Sequence, residues 1–226
     1  MPPTDNENGS KPAGAETAGR VTPRNKGRRR REEQKEELRS LILHTASELF
    51  LERGYHDFSM RKLAERIGYS PATLYLYFKD KDALLFTVVD DAFSRFQRRL
   101  AEAADSTADP WERLGSLSEA YVLFGLSHPV YYQLMFMWRI DYLTGTPQGE
   151  KAPRVEAFLV LVDAVRYAME QGVMIPGDPE ATSDVFWAMM HGIVAFAIQM
   201  PMYFDEGRTL KLAVEAKAAL YKAFHL

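Results

Sequence analysis

Residues 59–85, SMRKLAERIGYSPATLYLYFKDKDALL, decide how the N-terminal part of this chain folds. Two short helical stretches, residues 59–67 and 70–78, are separated by a single Gly-Tyr pair. A serine stands at the N-cap of each stretch, where its hydroxyl accepts a backbone hydrogen bond. Pro71 follows the second serine at the first helical position, where a missing N–H costs nothing. Two helices joined by a tight glycine-containing turn predict a helix-turn-helix.

The second of these helices has the pattern of a recognition helix. On a helical wheel Leu74 and Phe78 share one face, which we expect to be buried, while Ala72 and Leu76 lie opposite. Hydroxyl-bearing side chains flank the outer face. A B-DNA major groove is ~12 Å wide and accepts one α-helix. Small residues at the N-terminal end let the backbone approach base edges, so this helix is expected to read DNA.

The same region resembles the tetracycline-repressor (TetR) family of bacterial regulators. The residues that match the family's pattern are Ala46, Phe50, Gly54, Tyr55, Thr73, Leu74, Tyr75, Phe78, Lys81, Leu84 and Leu85. The resemblance implies an all-α protein with two parts. An N-terminal three-helix helix-turn-helix domain binds DNA, and a C-terminal helical domain binds an effector and dimerises. It also implies a ligand-responsive transcriptional regulator, most often a repressor that a small molecule releases from an inverted-repeat operator.

The resemblance assigns roles within the helix-turn-helix. Arg61 resembles the family's base or phosphate contact, with a plain surface arginine as the alternative. Lys81 begins the fourth helix, where a helix N-terminus reinforces a phosphate contact. Tyr75 resembles a phosphate binder, with core packing as the alternative, and Leu76 either reads a methyl group or lies over the sugar backbone. The complete set of candidate DNA-binding residues is Arg61, Pro71, Ala72, Thr73, Tyr75, Leu76, Tyr77 and Lys81.

Charge is distributed unevenly along the chain. The 226 residues carry a net charge of −3, but residues 20–82 hold fifteen basic and ten acidic side chains. Residues 1–32 have almost no large apolar side chains, so we expect a disordered arm. Seven basic residues between 20 and 31 make this arm either a phosphate-contacting segment or a solvated tail. The predicted domains are this arm, a DNA-binding domain at 33–82 and an effector-binding, dimerisation domain at 83–226.

The remaining sequence also has helical periodicity, and no stretch alternates convincingly enough to predict a strand. Residues 120–138 and 185–204 lack charged side chains and approach the ~20 residues of a membrane span. Both contain polar residues and a proline, and the flanks of the second are acidic. We therefore expect buried helices in a soluble, cytoplasmic protein. The absence of cysteine fits a reducing compartment.

The C-terminal half is rich in aromatic residues and methionine, which suits a cavity for a largely apolar or aromatic effector. For any single residue, plain core packing is the alternative. The candidate effector-binding residues are Tyr121, Phe124, His128, Tyr132, Met135, Phe136, Trp138, Phe158, Trp187 and His191. A homodimer interface is expected from two apolar helix faces. Their residues are Phe186, Met190, Ile193, Val194 and Ala197 on one helix and Leu210, Val214, Ala218 and Tyr221 on the other.

A helical enzyme and a small-molecule carrier without a DNA role are the competing classes. The five histidines do not have metal-ligand spacing, and the sequence has neither a glycine-rich phosphate loop nor a nucleophile elbow. We therefore predict no catalytic residues, no metal and no cofactor. The expected partners are double-stranded operator DNA, a small effector and a second copy of the chain.

Overall fold

The computed structural model describes residues 23–137 and 153–226, with side chains from Gly27 onward. The regular elements in these ranges are helices, and the one β-bridge there joins Met174 to His225. The all-α prediction is confirmed. In chain order the helices are α1 Pro23–Asp57, α2 Met60–Ile67, α3 Pro71–Tyr75, α4 Lys81–Ala104, α5 Pro110–Ser127, α6 Pro129–Tyr132 with a π-helical turn Gln133–Met137, α7 Pro153–Glu170, α8 Pro179–Gln199 and α9 Glu206–Phe224.

Helix α1 begins ten residues before the predicted position, so the predicted disorder is wrong for residues 23–32. Proline suits the first helical position, and arginine is a good helix former. Arg28 and Arg29 each pair with a glutamate four residues later, at 3.0 Å, which supports the helix. Residues 1–22 of the predicted arm lie outside the described residues. The chain divides into two compact units between Arg39 and Ser40.

The two helix starts predicted from serine caps are confirmed, and Asp80 caps α4 in the same way. The side chains of Ser59, Ser70 and Asp80 each accept a hydrogen bond from the backbone N–H of the residue three positions later, at 3.2, 3.2 and 2.8 Å. Gly68 ends α2 in the left-handed conformation, with φ 74°, as its position in the turn requires. These caps fix where α2, α3 and α4 begin, and thereby how the helix-turn-helix is folded.

The C-terminal helices form a bundle around α4 and α5. Helix α4 packs against α5 and α7, and α5 packs against α8 and α9. Helix α8 is, among the described helices, the one long and apolar enough to cross a membrane by length and composition. It packs on α5, α7 and α9 within the bundle, which accounts for its apolar residues.

Helices α5 and α8 come very close at Gly125. A Cβ atom added there would lie 2.3 Å from Cγ1 of Val194 and 3.2 Å from the ring of Tyr132. Val194 and Tyr132 are both fully buried, so neither has free space to move into. Gly125 therefore sets the distance between the two helices.

We expect Gly125→Ala to lower the free energy of unfolding by about 1–3 kcal/mol, the usual cost of overpacking a core. Gly207→Ala is the control, because the nearest atom to its added Cβ lies at an ordinary 3.6 Å. Urea denaturation of both variants measures the difference. Equal stabilities of the two variants would contradict the close approach.

Candidate nucleic-acid interface and ligand cavity

The outer face of α3 is exposed, while its inner face anchors it to the core. Leu74 is completely buried, whereas Tyr75 is 54% and Leu76 83% exposed. Pro71 and Ala72 are exposed at the N-terminal end. Core packing of Tyr75, the alternative from sequence, is thereby excluded within the described chain. Pro71, Ala72, Tyr75 and Leu76 form one exposed surface.

Helix α3 ends at Tyr75, three residues earlier than predicted. Leu76 and Tyr77 continue in a turn, whose N–H groups bond the carbonyls of Thr73 and Leu74 at 3.2 and 2.9 Å. Two constraints explain the early end. Phe78 must enter the core, where it is 5% exposed, and Asp80 must be extended to cap α4.

Two of the predicted phosphate contacts are engaged within the protein. The Thr73 hydroxyl lies 2.9 Å from that of Ser70, so it belongs to the cap of α3. Lys81 Nζ donates to the Tyr55 carbonyl at 3.2 Å and sits 4.0 Å from the centre of the Tyr55 ring. The Tyr55 hydroxyl in turn donates to Asp82. This contact joins the start of α4 to the end of α1.

Arg61 projects from α2 with 82% of its side chain exposed. Its Nε donates to Glu65 at 2.9 Å, one turn along the same helix. An exposed pair of this kind contributes little, so the guanidinium remains available to DNA. Tyr69, in the turn before α3, is 45% exposed and was not singled out from the sequence. The sequence signal for this exposed side chain is the position of Tyr69 directly before the N-cap Ser70.

A cross-brace fixes α2 against α1. Arg66 binds Glu52 with both terminal nitrogens, at 2.7 and 2.9 Å, and lies 3.6 Å from Glu48. The hydrogen bond to Arg66 lowers the pKa of Glu52. The brace engages Arg66, whose side chain is 40% exposed, whereas the Arg61 side chain on the same helix is 82% exposed.

A cavity of about 330 Å³ lies among α4, α5, the π-helical turn, α7 and α8. Five of the predicted effector residues line it, and these are Tyr121, Met135, Phe136, Phe158 and Trp187. Trp138 lies outside the described residues. The cavity wall is almost entirely apolar and aromatic, as predicted for this half of the chain.

Four predicted effector residues do not line the cavity, which corrects their assignment. Phe124 packs on Phe96, with ring centres 5.0 Å apart, and His128 packs on Phe124 at the same distance. Tyr132 is completely buried behind the wall. His191 shares a hydrogen bond with Tyr132, 2.8 Å away, and does not belong to the cavity lining.

The sequence did not distinguish the cavity residues of α4 from ordinary core residues. Phe93, Phe96 and Leu100 line the cavity, yet their spacing is simply that of a buried helix face. Arg154, from α7, is a charged residue in the wall, where few charged groups were expected. Its positive charge opposes the rise in the pKa of Asp90 that burial causes.

Four polar side chains form a chain of hydrogen bonds beside the cavity. Trp187 Nε1 donates to the Tyr121 hydroxyl at 3.1 Å, and the hydroxyls of Tyr121 and Tyr132 are 2.8 Å apart. The chain ends at Nδ1 of His191. Burial raises the pKa values of Tyr121 and Tyr132 and lowers that of His191, so all three groups are held neutral.

The exposed apolar residues of α8 differ from those predicted for the dimer interface, whereas the large exposed apolar residues of α9 belong to the predicted set. Four of the predicted α8 residues are buried within the chain, and these are Phe186, Met190, Ile193 and Val194. Because α8 is apolar on every face, its sequence does not show which face is buried. The exposed apolar residues include Val185 and Phe196 on α8, Met200 at its C-cap, and Leu210, Val214 and Tyr221 on α9. Their spacing places one apolar stripe on each helix.

Comparisons with known proteins agree with this architecture. Residues 42–88 match the family described as bacterial regulatory proteins, tetR family, and residues 114–216 match the tetracyclin repressor-like C-terminal domain. A crystal structure of a TetR family transcription regulator from Marinobacter aquaeolei superposes with a TM-score of 0.72. That match covers 86% of this chain and 98% of the other at 20% identity, so it shows the fold alone.

Two curated relatives match over part of their length. The transcriptional activator FasR of Mycolicibacterium smegmatis is 32% identical over 58% of this chain and 58% of its own. The fatty acid metabolism regulator protein of Bacillus subtilis is 33% identical over 32% of this chain and 38% of its own. Both are regulators rather than enzymes, and the two domain matches together span the helix-turn-helix and the helical bundle. The chain belongs to the TetR family of bacterial transcriptional regulators.

Proposed function

We propose that this regulator is a homodimeric repressor that binds an inverted-repeat operator and is released by a small, largely apolar or aromatic effector. The observation that carries the proposal concerns α4. This helix begins at Lys81, held against α1, and its middle lines the cavity with Phe93 and Phe96. One continuous helix therefore contacts both the DNA-binding region and the cavity.

The exposed end of α3 supports direct reading of DNA. Pro71 and Ala72 present little bulk, so the backbone can approach the floor of the major groove. Tyr75 and Leu76 flank that approach with a hydroxyl and an apolar side chain. Arg61 stands on the neighbouring helix, free to reach a base or a phosphate. The arginines at the start of α1 add positive charge, and a phosphate-contacting role for them remains part of the proposal.

The stripes on α8 and α9 support the homodimer. Two helices from each copy would form a four-helix interface, the usual way to bury such stripes. Gly192 lies on α8 with no atom within 4 Å of an added Cβ, so a partner helix can approach there. A dimer presents two copies of α3, which supplies the specificity that one short helix lacks.

Two contacts support effector-controlled release. Met135 and Phe136 line the cavity from the π-helical turn, and Tyr131 of the adjoining α6 lies beside His44 of α1, with ring centres 6.4 Å apart. A molecule that fills the cavity would therefore press on both α4 and α6. A regulator of fatty acid metabolism among the relatives is consistent with an apolar effector and a cytoplasmic location.

We expect Arg61→Ala and Tyr75→Phe each to weaken binding to an operator selected from random duplexes. A good base contact gives ~1–3 kcal/mol, which is about a 5- to 150-fold loss of affinity. Arg98→Ala is the control, since it removes the same charge from an exposed position on α4. Electrophoretic mobility shifts measure the affinities. Equal losses for Arg61→Ala and Arg98→Ala would leave only a non-specific charge effect.

We expect Val214→Glu to convert the dimer to a monomer, because it places a charge in the middle of the α9 stripe. Leu159→Glu is the matched control, an exposed apolar residue on α7 outside both stripes. Sedimentation velocity separates the two species. A dimer that survives Val214→Glu unchanged would show that the stripes are not the interface.

We expect Met135→Trp to abolish binding of N-phenyl-1-naphthylamine, an apolar fluorescent probe, by filling the cavity with a larger side chain. Operator binding should persist, since Met135 lies far from α3 in the chain and is completely buried. Probe fluorescence and mobility shift are measured on the same samples. Unchanged probe affinity in the variant would place the probe, and the proposed effector site, elsewhere.

A helical carrier without a DNA role is the alternative function. The same selection from random duplexes decides between the two. Enrichment of an inverted repeat supports the regulator, whereas probe binding without enrichment of any sequence supports the carrier.

A further inference from the structure

The polar groups in the cavity wall are hydrogen-bond donors. Four lining side chains carry a polar group, and these are Ser118, Tyr121, Arg154 and Trp187. The indole of Trp187 and the guanidinium of Arg154 can only donate. The Ser118 hydroxyl donates to the Leu114 carbonyl at 2.8 Å, within its own helix. No carboxylate or side-chain amide belongs to the lining among the described residues. Such a wall has more donors than acceptors, since its acceptors are the hydroxyl oxygens of Ser118 and Tyr121, and it suits a ligand that accepts hydrogen bonds.

One direction of the hydrogen-bond chain pairs every hydroxyl proton within the protein. Trp187 must donate, so the Tyr121 oxygen accepts. Tyr121 then donates to Tyr132, and Tyr132 donates to Nδ1 of His191. The protons of Trp187, Tyr121 and Tyr132 each have an acceptor in this arrangement. His191 is thereby neutral, with its proton on Nε2, and burial lowers its pKa in the same sense.

The reverse direction leaves one proton without a partner. If Nδ1 of His191 carries the proton, His191 donates to Tyr132 and Tyr132 donates to Tyr121. The Tyr121 oxygen then accepts from both Tyr132 and Trp187, and its own proton turns away from the chain. Tyr121 is 7% exposed, so this proton is shielded from bulk solvent. An unpaired buried donor is costly, so the reverse direction is unfavourable unless a group in the cavity accepts from Tyr121.

We propose that the cavity takes an apolar molecule with one uncharged carbonyl group, a ketone or an ester, and that Tyr121 donates to this carbonyl while the chain reverses. The inference rests on the proposed function, in which the cavity is the effector site. The ligand supplies the acceptor that the reversed chain lacks. A hydrocarbon of the same shape has no acceptor, so the hydrogen-bond chain distinguishes the carbonyl compound from the hydrocarbon.

The protons balance in this step. The hydroxyl protons of Tyr121 and Tyr132 each rotate to a new acceptor. On His191 the Nε2–H bond breaks and an Nδ1–H bond forms, with the proton passing through solvent at this half-exposed residue. No proton is taken up or released overall. His191 is therefore a positioning residue that changes tautomer without touching the ligand.

Charge at the cavity wall favours an uncharged carbonyl over a carboxylate. Arg154 is the charged residue in the described lining, and its charge is already attracted to Asp90. A ligand carboxylate would compete with Asp90 and would lie in an otherwise apolar cavity. An uncharged carbonyl needs a single donor, which the reversed chain provides.

The test compares 4-phenylcyclohexanone with phenylcyclohexane, two probes that differ in the carbonyl. Isothermal titration should show tighter binding of the ketone, by about 2- to 12-fold, the range that one neutral hydrogen bond contributes. Tyr121→Phe should reduce this ratio to about one. Tyr131→Phe is the control, because Tyr131 lies outside both the cavity lining and the hydrogen-bond chain, and it should keep the ratio.

Nitrogen-15 NMR of histidine-labelled protein gives the readout that a purely structural role would not move. On adding the ketone, Nδ1 of His191 should change from an unprotonated to a protonated resonance, and phenylcyclohexane should leave it unchanged. His191→Gln assigns the signal. Equal affinities of the two probes, or an unchanged Nδ1 signal with the ketone bound, would overturn the inference and leave the cavity as an effector site. If neither probe binds, the effector site itself is wrong and the inference fails with it.

Discussion

Helix α4 is the constraint on which the rest of the molecule depends. Its 24 residues extend about 36 Å as one uninterrupted helix. Apolar residues from Leu84 to Leu100 are buried along one side, which fixes the helix against α5 and α7. At its start, Asp80 caps it and Lys81 ties it to Tyr55 of α1. Because its middle forms part of the cavity wall, α4 is the element through which we propose that a change in the wall reaches the base of the helix-turn-helix.

The cavity combines an apolar wall with a small number of hydrogen bonds that join three helices. Tyr121 lies on α5, Tyr132 on α6, and Trp187 and His191 on α8. These side chains connect the cavity to α6, which also contacts α1 through Tyr131 and His44. The protein thus has two physical connections between cavity and DNA-binding region, one through α4 and one through α6. A ligand shifts the operator-competent state only by its different affinity for the two states.

Local features of the fold were predictable from sequence, whereas features that depend on distant contacts were not. The caps at Ser59, Ser70 and Asp80 involve residues three apart, so their pattern is visible in the chain. The early start of α1 was missed because a composition rich in charge and poor in apolar residues indicates disorder unless ion pairs one turn apart are considered. Similarly, α8 is apolar on every face, so its sequence does not tell whether Phe186 or Phe196 points inward.

The candidate site likewise has one part that the sequence predicts and another that depends on contacts between distant residues. The exposure of Tyr75 and Leu76 follows from the helical wheel of α3 alone. The cavity requires five elements to meet. Tyr121 and Phe124 both pack on Phe96 of α4, yet Tyr121 lines the cavity and Phe124 does not. Arg154 was likewise invisible as a wall residue, because nothing in its local sequence indicates that α7 turns it toward α4.

The central claim is that cavity occupancy and operator binding are coupled, and linkage tests it most directly. The measurement is the affinity of N-phenyl-1-naphthylamine for the free protein and for the protein saturated with its selected duplex. Coupling is reciprocal, so the duplex should weaken probe binding by the same factor by which the probe weakens duplex binding. A 5- to 150-fold factor, corresponding to about 1–3 kcal/mol, is typical of such coupling. Equal probe affinity for the free and DNA-bound protein would contradict the account.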